Sequence, residues 1–373
     1  MELFAKRQMF RRSDTRVVNV GSVAVGGGAP VSVQTMCNID PLAVDEIVSQ
    51  LERVSALGCD ICRLTVPDLA AAEAFGRIRK LSPIPLVADI HFDYKCALAA
   101  IANGADALRI NPGNIGSRAN VQAVARAAKE NGVPIRVGVN MGSLEKALRE
   151  RVELGTLSRS EALCESALSH AKILEDEGFY DIVISAKASN VPDTIEVYRL
   201  LAERTSYPLH LGVTEAGTLI PGTVRSSVAL GILLSEGIGD TIRVSLTDRP
   251  EREVLTGLEI LRSLNLRAPG PSITSCPTCG RTKVNLFSVA SKIEEAMESL
   301  YAERLAASKG EAVKFPHVAV MGCAVNGPGE AKGADIALCG GDGEFVLYVN
   351  GEIVERVSEE DAARKVVEYA VSL

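Results

Sequence analysis

The chain has no tryptophan, and only 4% of its 373 residues are aromatic. A base-stacking surface is thereby disfavoured, because single-stranded nucleic acid is gripped largely by aromatic faces. Net positive charge is missing as well. Lysine and arginine number 40 against 47 aspartates and glutamates, a formal charge of −7, which is the wrong sign for an all-round binder of phosphate backbones. No apolar run reaches the roughly 18 residues that a membrane helix requires. The opening MELFAKRQMFRRSD lacks the apolar core of a signal peptide. Nine cysteines are too sparse, and odd in number, for a disulfide scaffold in a chain this long. A cytoplasmic protein with free thiols or metal-bound thiolates is therefore expected. With 47% hydrophobic residues the chain can bury a large core, and its length predicts two domains, or one large domain with an appendage.

Up to residue 266, short β-branched runs alternate with amphipathic stretches of 3.6-residue apolar spacing. The runs predict strands at 31–36, 60–66, 85–90, 107–111, 135–139, 181–187, 208–214 and 240–246. Glycines that end helices shortly before the next strand (Gly58, Gly104, Gly132) mark the boundaries. Eight strand–helix units in about 250 residues match the rhythm of a (β/α)8 TIM barrel, favoured over a doubly wound open sheet. The Pro/Gly-rich segment 267–272 then reads as a linker. Residues 267–373 predict a small α+β domain. It has a short strand, a helix over 286–308, strands at 317–322 and 334–339, a hairpin turning at Asn350-Gly351, and a last helix from about 359.

Strand alternation puts Arg63/Thr65, Arg109/Asn111, Arg136/Gly138/Asn140 and Arg243/Ser245 on one face, with Leu64, Ile110, Val137 and Val244 on the other. Since the apolar face meets the helices, the arginines point into the barrel near its C-terminal end. Lys187 brings the count to five cations on five strands, joined by Asp89, His91 and Glu215 at strand ends. Five enclosed cations are costly without anions. A diphosphate-like ligand is favoured over internal ion pairing, because arginine forks onto phosphate. His170, His210 and His317 read as structural, and His91 alone is weak evidence.

Cys276-Pro-Thr-Cys279 lies in a loop, and Cys323 opens the Gly/Pro-rich loop that runs to Glu330. Three cysteines on two flexible loops suit iron–sulfur or zinc. Glu330 and Cys339 both stand as candidates for a fourth ligand. Cys59-Asp-Ile-Cys62 also spells C-x-x-C, but Cys62 falls inside a strand, so the pair reads as packing. Cys37, Cys96 and Cys164 are isolated in sequence and read the same way.

These segments together resemble the 4-hydroxy-3-methylbut-2-enyl diphosphate synthase family. The resemblance runs in order from about residue 15 to the C-terminus. It rests on Cys276-Pro-Thr-Cys-Gly-Arg281, Gly322-Cys-Ala-Val-Asn-Gly-Pro-Gly-Glu330, Val87-Ala-Asp-Ile-His-Phe-Asp93 and Leu108-Arg-Ile-Asn-Pro-Gly-Asn-Ile115. Val139-Asn-Met-Gly-Ser-Leu-Glu145, Leu211-Gly-Val-Thr-Glu-Ala-Gly217 and the segment 235–245 add to it. The resemblance implies reductive opening and dehydration of 2-C-methyl-D-erythritol 2,4-cyclodiphosphate, a late step of the methylerythritol phosphate route to isoprenoids. It implies a 4Fe–4S cluster on Cys276, Cys279, Cys323 and Glu330 in the domain 267–373. Substrate contacts would come from Arg63, Arg109, Asn111, Arg136, Asn140, Lys187, Arg243 and Ser245 in the barrel 1–266, with Glu215 as the acid. Absence of an inserted domain resembles the compact bacterial type, served by flavodoxin or ferredoxin and working as a homodimer. Gln34-Thr-Met-Cys37 departs from the family's usual Gln-Ser-Met-Thr, which leaves the inertness of Cys37 less secure than that of the other spare thiols. Two other readings are a redox-inert barrel transferase, resembling dihydropteroate synthase with a zinc staple, and an iron–sulfur carrier without turnover.

Overall fold

The structure is a computed structural model and describes residues 10–267, 270–308, 313–325, 329 and 332–373. The chain divides into two compact units, Met1–Arg267 and Ala268–Leu373.

The first unit opens with an antiparallel hairpin, β1 (Val18–Val20) and β2 (Val23–Val25), absent from the sequence expectations. Eight parallel strands follow: β3 (Ser32–Met36), β4 (Ile61–Thr65), β5 (Leu86–Asp89), β6 (Ala107–Ile110), β7 (Ile135–Asn140), β8 (Ile182–Lys187), β9 (His210–Leu211) and β10 (Thr241–Ile242). They are ordered β8-β7-β6-β5-β4-β3-β10-β9, and a parallel bridge from Ile184 to Leu209 joins β8 to β9, closing the barrel. Helices α1 (Val44–Ala56), α2 (Leu69–Leu81), α3 (Tyr94–Ala102), α4 (Arg118–Asn131), α5 (Lys146–Glu153), α6 (Arg159–Glu175), α7 (Val191–Arg204), α8 (Leu219–Ser235) and α9 (Pro250–Ser263) form the connections. Their ends follow local chemistry. Asp68 and Ser117 cap α2 and α4 through backbone N–H groups, Ser158 and Glu161 form a capping box on α6, and Gly132 ends α4 at φ 64°.

Two strands are shorter than their sequence runs. β9 and β10 hold two residues each, where seven are expected, because the backbone beyond them finds other partners. The Thr214 N–H goes to the Ala188 carbonyl, Leu246 N–H to the Glu253 side chain and Thr247 N–H to the Gly217 carbonyl. The barrel is apolar at one end and polar at the other. Val20 and Val25 of the hairpin pack with Ile61, Val87 and Ala107 at the strand starts, so hydrophobic burial seals the N-terminal end and leaves the C-terminal end for polar side chains. Outward-facing residues such as Leu64, Leu108, Ile110 and Val137 join the helices in one core.

The second unit carries a five-stranded sheet, β11 (Ser272–Ser275), β12 (His317–Met321), β13 (Ile336–Gly340), β14 (Glu344–Val349) and β15 (Glu352–Ser358), in that spatial order. The first three strands run parallel and the last three antiparallel. Helices α10 (Leu286–Ala307) and α11 (Ala362–Ser372) pack on it through Ile293, Met297, Val366 and Ala370. Asn350 and Gly351 both have positive φ, 51° and 82°, as the turn chemistry of their sequence demands.

Candidate functional site

The C-terminal ends of the barrel strands surround a cavity of about 280 Å³. Arg63, Arg109, Asn111, Asn140, Lys187, Arg243 and Ser245 all line it, with Asp89 and His91. Arg136 lies deeper. It borders a smaller cavity toward the sealed end, beside Gln34 and Thr241. Glu215 is exposed, does not line the main cavity, and has φ 53°, a left-handed backbone that is rare outside glycine. Thr65, which shares Arg63's strand phase, lines a different cavity beside Cys37 and Ile47. Met36, Ser185 and Thr214 line the main cavity without having been singled out in the sequence. Alternation along β8 places Ser185 two residues from Lys187 and so contained the signal; nothing about Met36 did.

Among the described residues, the five cations meet two carboxylates. Asp89 stands 3.4 Å from Arg63 and 3.3 Å from Arg109, and Glu253 stands 3.3 Å from Arg243. With every group ionised, five positive groups against two negative ones leave a surplus of three. The electrostatics follow from that surplus. Burial opposes the charge of Asp89, but Arg63 and Arg109 outweigh it and lower its pKa. Burial pushes Arg63 down to about 10, with Arg243 and Arg109 adding repulsion that Asp89 only partly offsets. Burial, then the neighbouring arginines, push Arg136 and Lys187 well below their usual values. Arg136 is 4% exposed, and its Nη1 and Nη2 have no hydrogen-bond partner among the described residues. A buried, unpartnered guanidinium amid like charges is unfavourable by itself and favourable once an anion arrives.

Two glycines make room for this charge. A Cβ on Gly138 would stand 2.5 Å from Arg109 Nε, and one on Gly212 would stand 2.7 Å from the Arg243 carbonyl and 3.1 Å from Lys187 Nζ. Arg109 in turn donates to the Gly138 carbonyl at 3.3 Å. Arg63 donates to Met36 Sδ at 3.0 Å, so the methionine also orients a cation.

In the second unit, parallel pairing of β11 with β12 sets Ser275 opposite Val320. Cys276 and Cys323 therefore leave neighbouring strand ends. The Gly322 N–H donates to Cys276 Sγ at 3.3 Å. Hydrogen bonds from Arg281 lower the pKa of the exposed Cys279 thiol, and the charges of Cys279 and Cys323 both raise that of Arg281, so the three groups are neighbours. Among the described residues, no three His, Cys, Asp or Glu side chains converge tightly enough to hold one metal ion. A four-iron cubane meets each ligand at a different iron, so its ligands stand farther apart than those of a single ion. Thiols that already accept N–H bonds or lie beside an arginine suit such a cluster. Glu330 lies outside the described residues. Cys339 is buried on β13 against Ala319, Met321 and Ala337, and burial followed by the charge of Cys323 pushes its thiol up to about 11.

The Cys59–Cys62 pair is buried, and Cys59 Sγ points to the Ile61 carbonyl at 3.3 Å. Cys37 is not isolated in space, contrary to its isolation in sequence: pairing of β3 with β4 brings its Sγ to 3.7 Å from that of Cys62. The bond with Cys62, and then burial, raise the Cys37 thiol far above its usual value, which keeps it protonated and a poor nucleophile.

The shifts carry a prediction about proton uptake. Lys187 has a depressed pKa in the ligand-free protein, and a bound polyanion restores it toward about 10.4. Between those two values, binding of inorganic pyrophosphate takes up protons. Calorimetric titrations over a series of pH values, in buffers of different ionisation enthalpy, are expected to show proton uptake in the wild type that is largely lost in Lys187→Met.

The chain matches the GcpE TIM-barrel domain over residues 15–258 and the GcpE protein C-terminal domain over residues 272–372. The 4-hydroxy-3-methylbut-2-en-1-yl diphosphate synthase (flavodoxin) of Geobacter sulfurreducens is 53% identical over 352 residues, 94% of this chain and 96% of that protein. The enzyme of the same name from Clostridium acetobutylicum is 51% identical over 351 residues, 94% and 96% of the two chains. Among solved structures, Yersinia pestis dihydropteroate synthase aligns with a TM-score of 0.47 at 13% identity, over 67% of this chain and 99% of that one, too distant to bear on function. With both of its units matched and half of its residues shared with full-length relatives, the chain belongs to the GcpE family.

Proposed function

We propose that the barrel mouth binds the cyclic diphosphate and that Cys276, Cys279, Cys323 and Glu330 hold a 4Fe–4S cluster. The chain is an oxidoreductase that makes 4-hydroxy-3-methylbut-2-enyl diphosphate from 2-C-methyl-D-erythritol 2,4-cyclodiphosphate. The observation that carries the site assignment is the set of four cations lining the mouth against two carboxylates, above the buried Arg136 guanidinium with its two unpartnered nitrogens. Arg63, Arg109, Lys187 and Arg243 in the cavity lining, with Arg136 beneath them, neutralise the diphosphate, while Asn111, Asn140 and Ser245 offer hydrogen bonds to its oxygens. Product and substrate both keep two phosphoryl groups, so the cations hold the molecule while its carbon skeleton changes. Glu215, exposed and one residue past the cavity-lining Thr214, delivers a proton to the departing hydroxyl.

The cluster, when bound, supplies electrons one at a time. Flavodoxin is the proposed donor, as the names of the relatives imply, with ferredoxin the alternative. No helix of the described residues is long and apolar enough to cross a membrane, in keeping with a cytoplasmic enzyme. A homodimer is proposed on the exposed stripe Ile220, Val224 and Val228, three apolar side chains one turn apart on α8.

Two sets of variants test these assignments. Arg109→Met and Arg136→Met are each expected to raise the substrate KM at least tenfold while leaving cluster absorbance unchanged, because a charged hydrogen bond lost from a desolvated site is worth about 1.5–3 kcal/mol. A wild-type KM in both would refute the mouth assignment. Iron analysis separates the cysteines: Cys276→Ser should lose most of its iron, whereas the Cys59→Ala/Cys62→Ala double variant should keep it. Cys339→Ala should retain iron and turnover, and Glu330→Ala should give labile or three-iron clusters visible by electron paramagnetic resonance. Full four-iron content in Glu330→Ala would show that another group completes the set.

A further inference from the structure

We infer that Glu253 is a positioning residue for anion recognition, acting through Arg243 and Ser245; the inference rests on the reading of the barrel mouth given above. Glu253 sits in the first turn of α9, is 3% exposed, and does not line the cavity. Its carboxylate gathers three groups from two separate pieces of chain. The Thr35 hydroxyl donates to Oε2 at 2.7 Å, the Leu246 N–H donates to Oε1 at 3.0 Å, and Arg243 donates from Nε and Nη2 at 3.3–3.4 Å.

Each contact bears on the mouth. Arg243 lines the cavity and has its guanidinium set by this carboxylate. Ser245, also in the lining, lies between Arg243 and Leu246, so the Leu246 bond fixes the backbone that presents it. Thr35 ties the assembly to β3, next to Met36 of the same cavity. Regular strand pairing has already ended there, since β10 stops at Ile242. Glu253 thus takes over where the ladder stops. Its distances to Arg243 are long for charge-assisted bonds, which leaves Arg243 free to turn toward an incoming phosphate while still held near it.

The sign of the effect distinguishes positioning from simple charge. Glu253 is one of only two carboxylates against five cations. If it acted only as a charge, its neutralisation would raise the surplus from three to four and tighten binding of any polyanion. If it positions Arg243 and Ser245, its neutralisation weakens binding despite the added positive charge.

The experiment is calorimetric binding of inorganic pyrophosphate to the full chain, in wild type, Glu253→Gln, Arg243→Met and the double variant. Glu253→Gln is expected to weaken binding about tenfold. In the Arg243→Met background the same change is expected to cost less than about threefold, because residues that act through one another are not additive. Thr35→Val, which removes one donor without changing size, should weaken binding by a smaller factor and covers the case in which Glu253→Gln fails to fold. Tighter or unchanged binding in Glu253→Gln would overturn the inference, as would full additivity with Arg243→Met. Unchanged binding in Thr35→Val, should Glu253→Gln not fold, would overturn it too. If wild type bound no pyrophosphate, the reading of the mouth would fall first and this inference with it, whereas a change in sign for Glu253→Gln alone would remove only the inference.

Discussion

Uncompensated positive charge held inside a barrel is the constraint on which the rest of the first unit depends. Placing four cations around the C-terminal ends of parallel strands, with a fifth beneath them, opposes folding, since desolvation and mutual repulsion both disfavour the charged forms. The chain meets that cost in several ways. Apolar packing seals the opposite end with Val20, Val25, Ile61, Val87 and Ala107. Asp89 serves Arg63 and Arg109 together, and Glu253 serves Arg243. Gly138 and Gly212 give up side chains so that Arg109 and Lys187 fit. What remains, with every group ionised, is a surplus of three, the feature behind the proposed diphosphate site.

The second unit solves a different problem, that of presenting soft donors from loops. The parallel β11–β12 pair runs out into the loops that carry Cys276 and Cys323, and the turn between Cys276 and Cys279 holds the β-branched Thr278 at φ 63°, a strained left-handed backbone. Arg281 beside Cys279 favours the thiolate, while burial of Cys339 favours the thiol. Two sulfurs of one unit thus differ in acidity through solvent access and a single guanidinium.

Much of this was legible in the sequence, because period-2 alternation decides which residues of a strand share a face. Arg63, Arg109, Lys187 and Arg243 therefore fall on the cavity as their phase requires. Alternation is silent about depth, so the placement of Arg136 below the cavity needed the barrel's stagger. It is silent about where a ladder ends, hence the two-residue strands β9 and β10. The contact of Cys37 with Cys62 spans 25 residues and follows from strand pairing alone. Glu253 was hidden for another reason: an acid in the first turn of a helix satisfies the helix dipole, and nothing in the pattern of α9 marks it as buried against three partners.

The most direct test of the whole reading is anaerobic turnover of the full chain with 2-C-methyl-D-erythritol 2,4-cyclodiphosphate and reduced flavodoxin. Brown protein that bleaches with dithionite, and that consumes two electrons for each 4-hydroxy-3-methylbut-2-enyl diphosphate formed, is the expected result. Colourless protein, or brown protein that holds its electrons in the presence of the cyclodiphosphate without forming product, would contradict it.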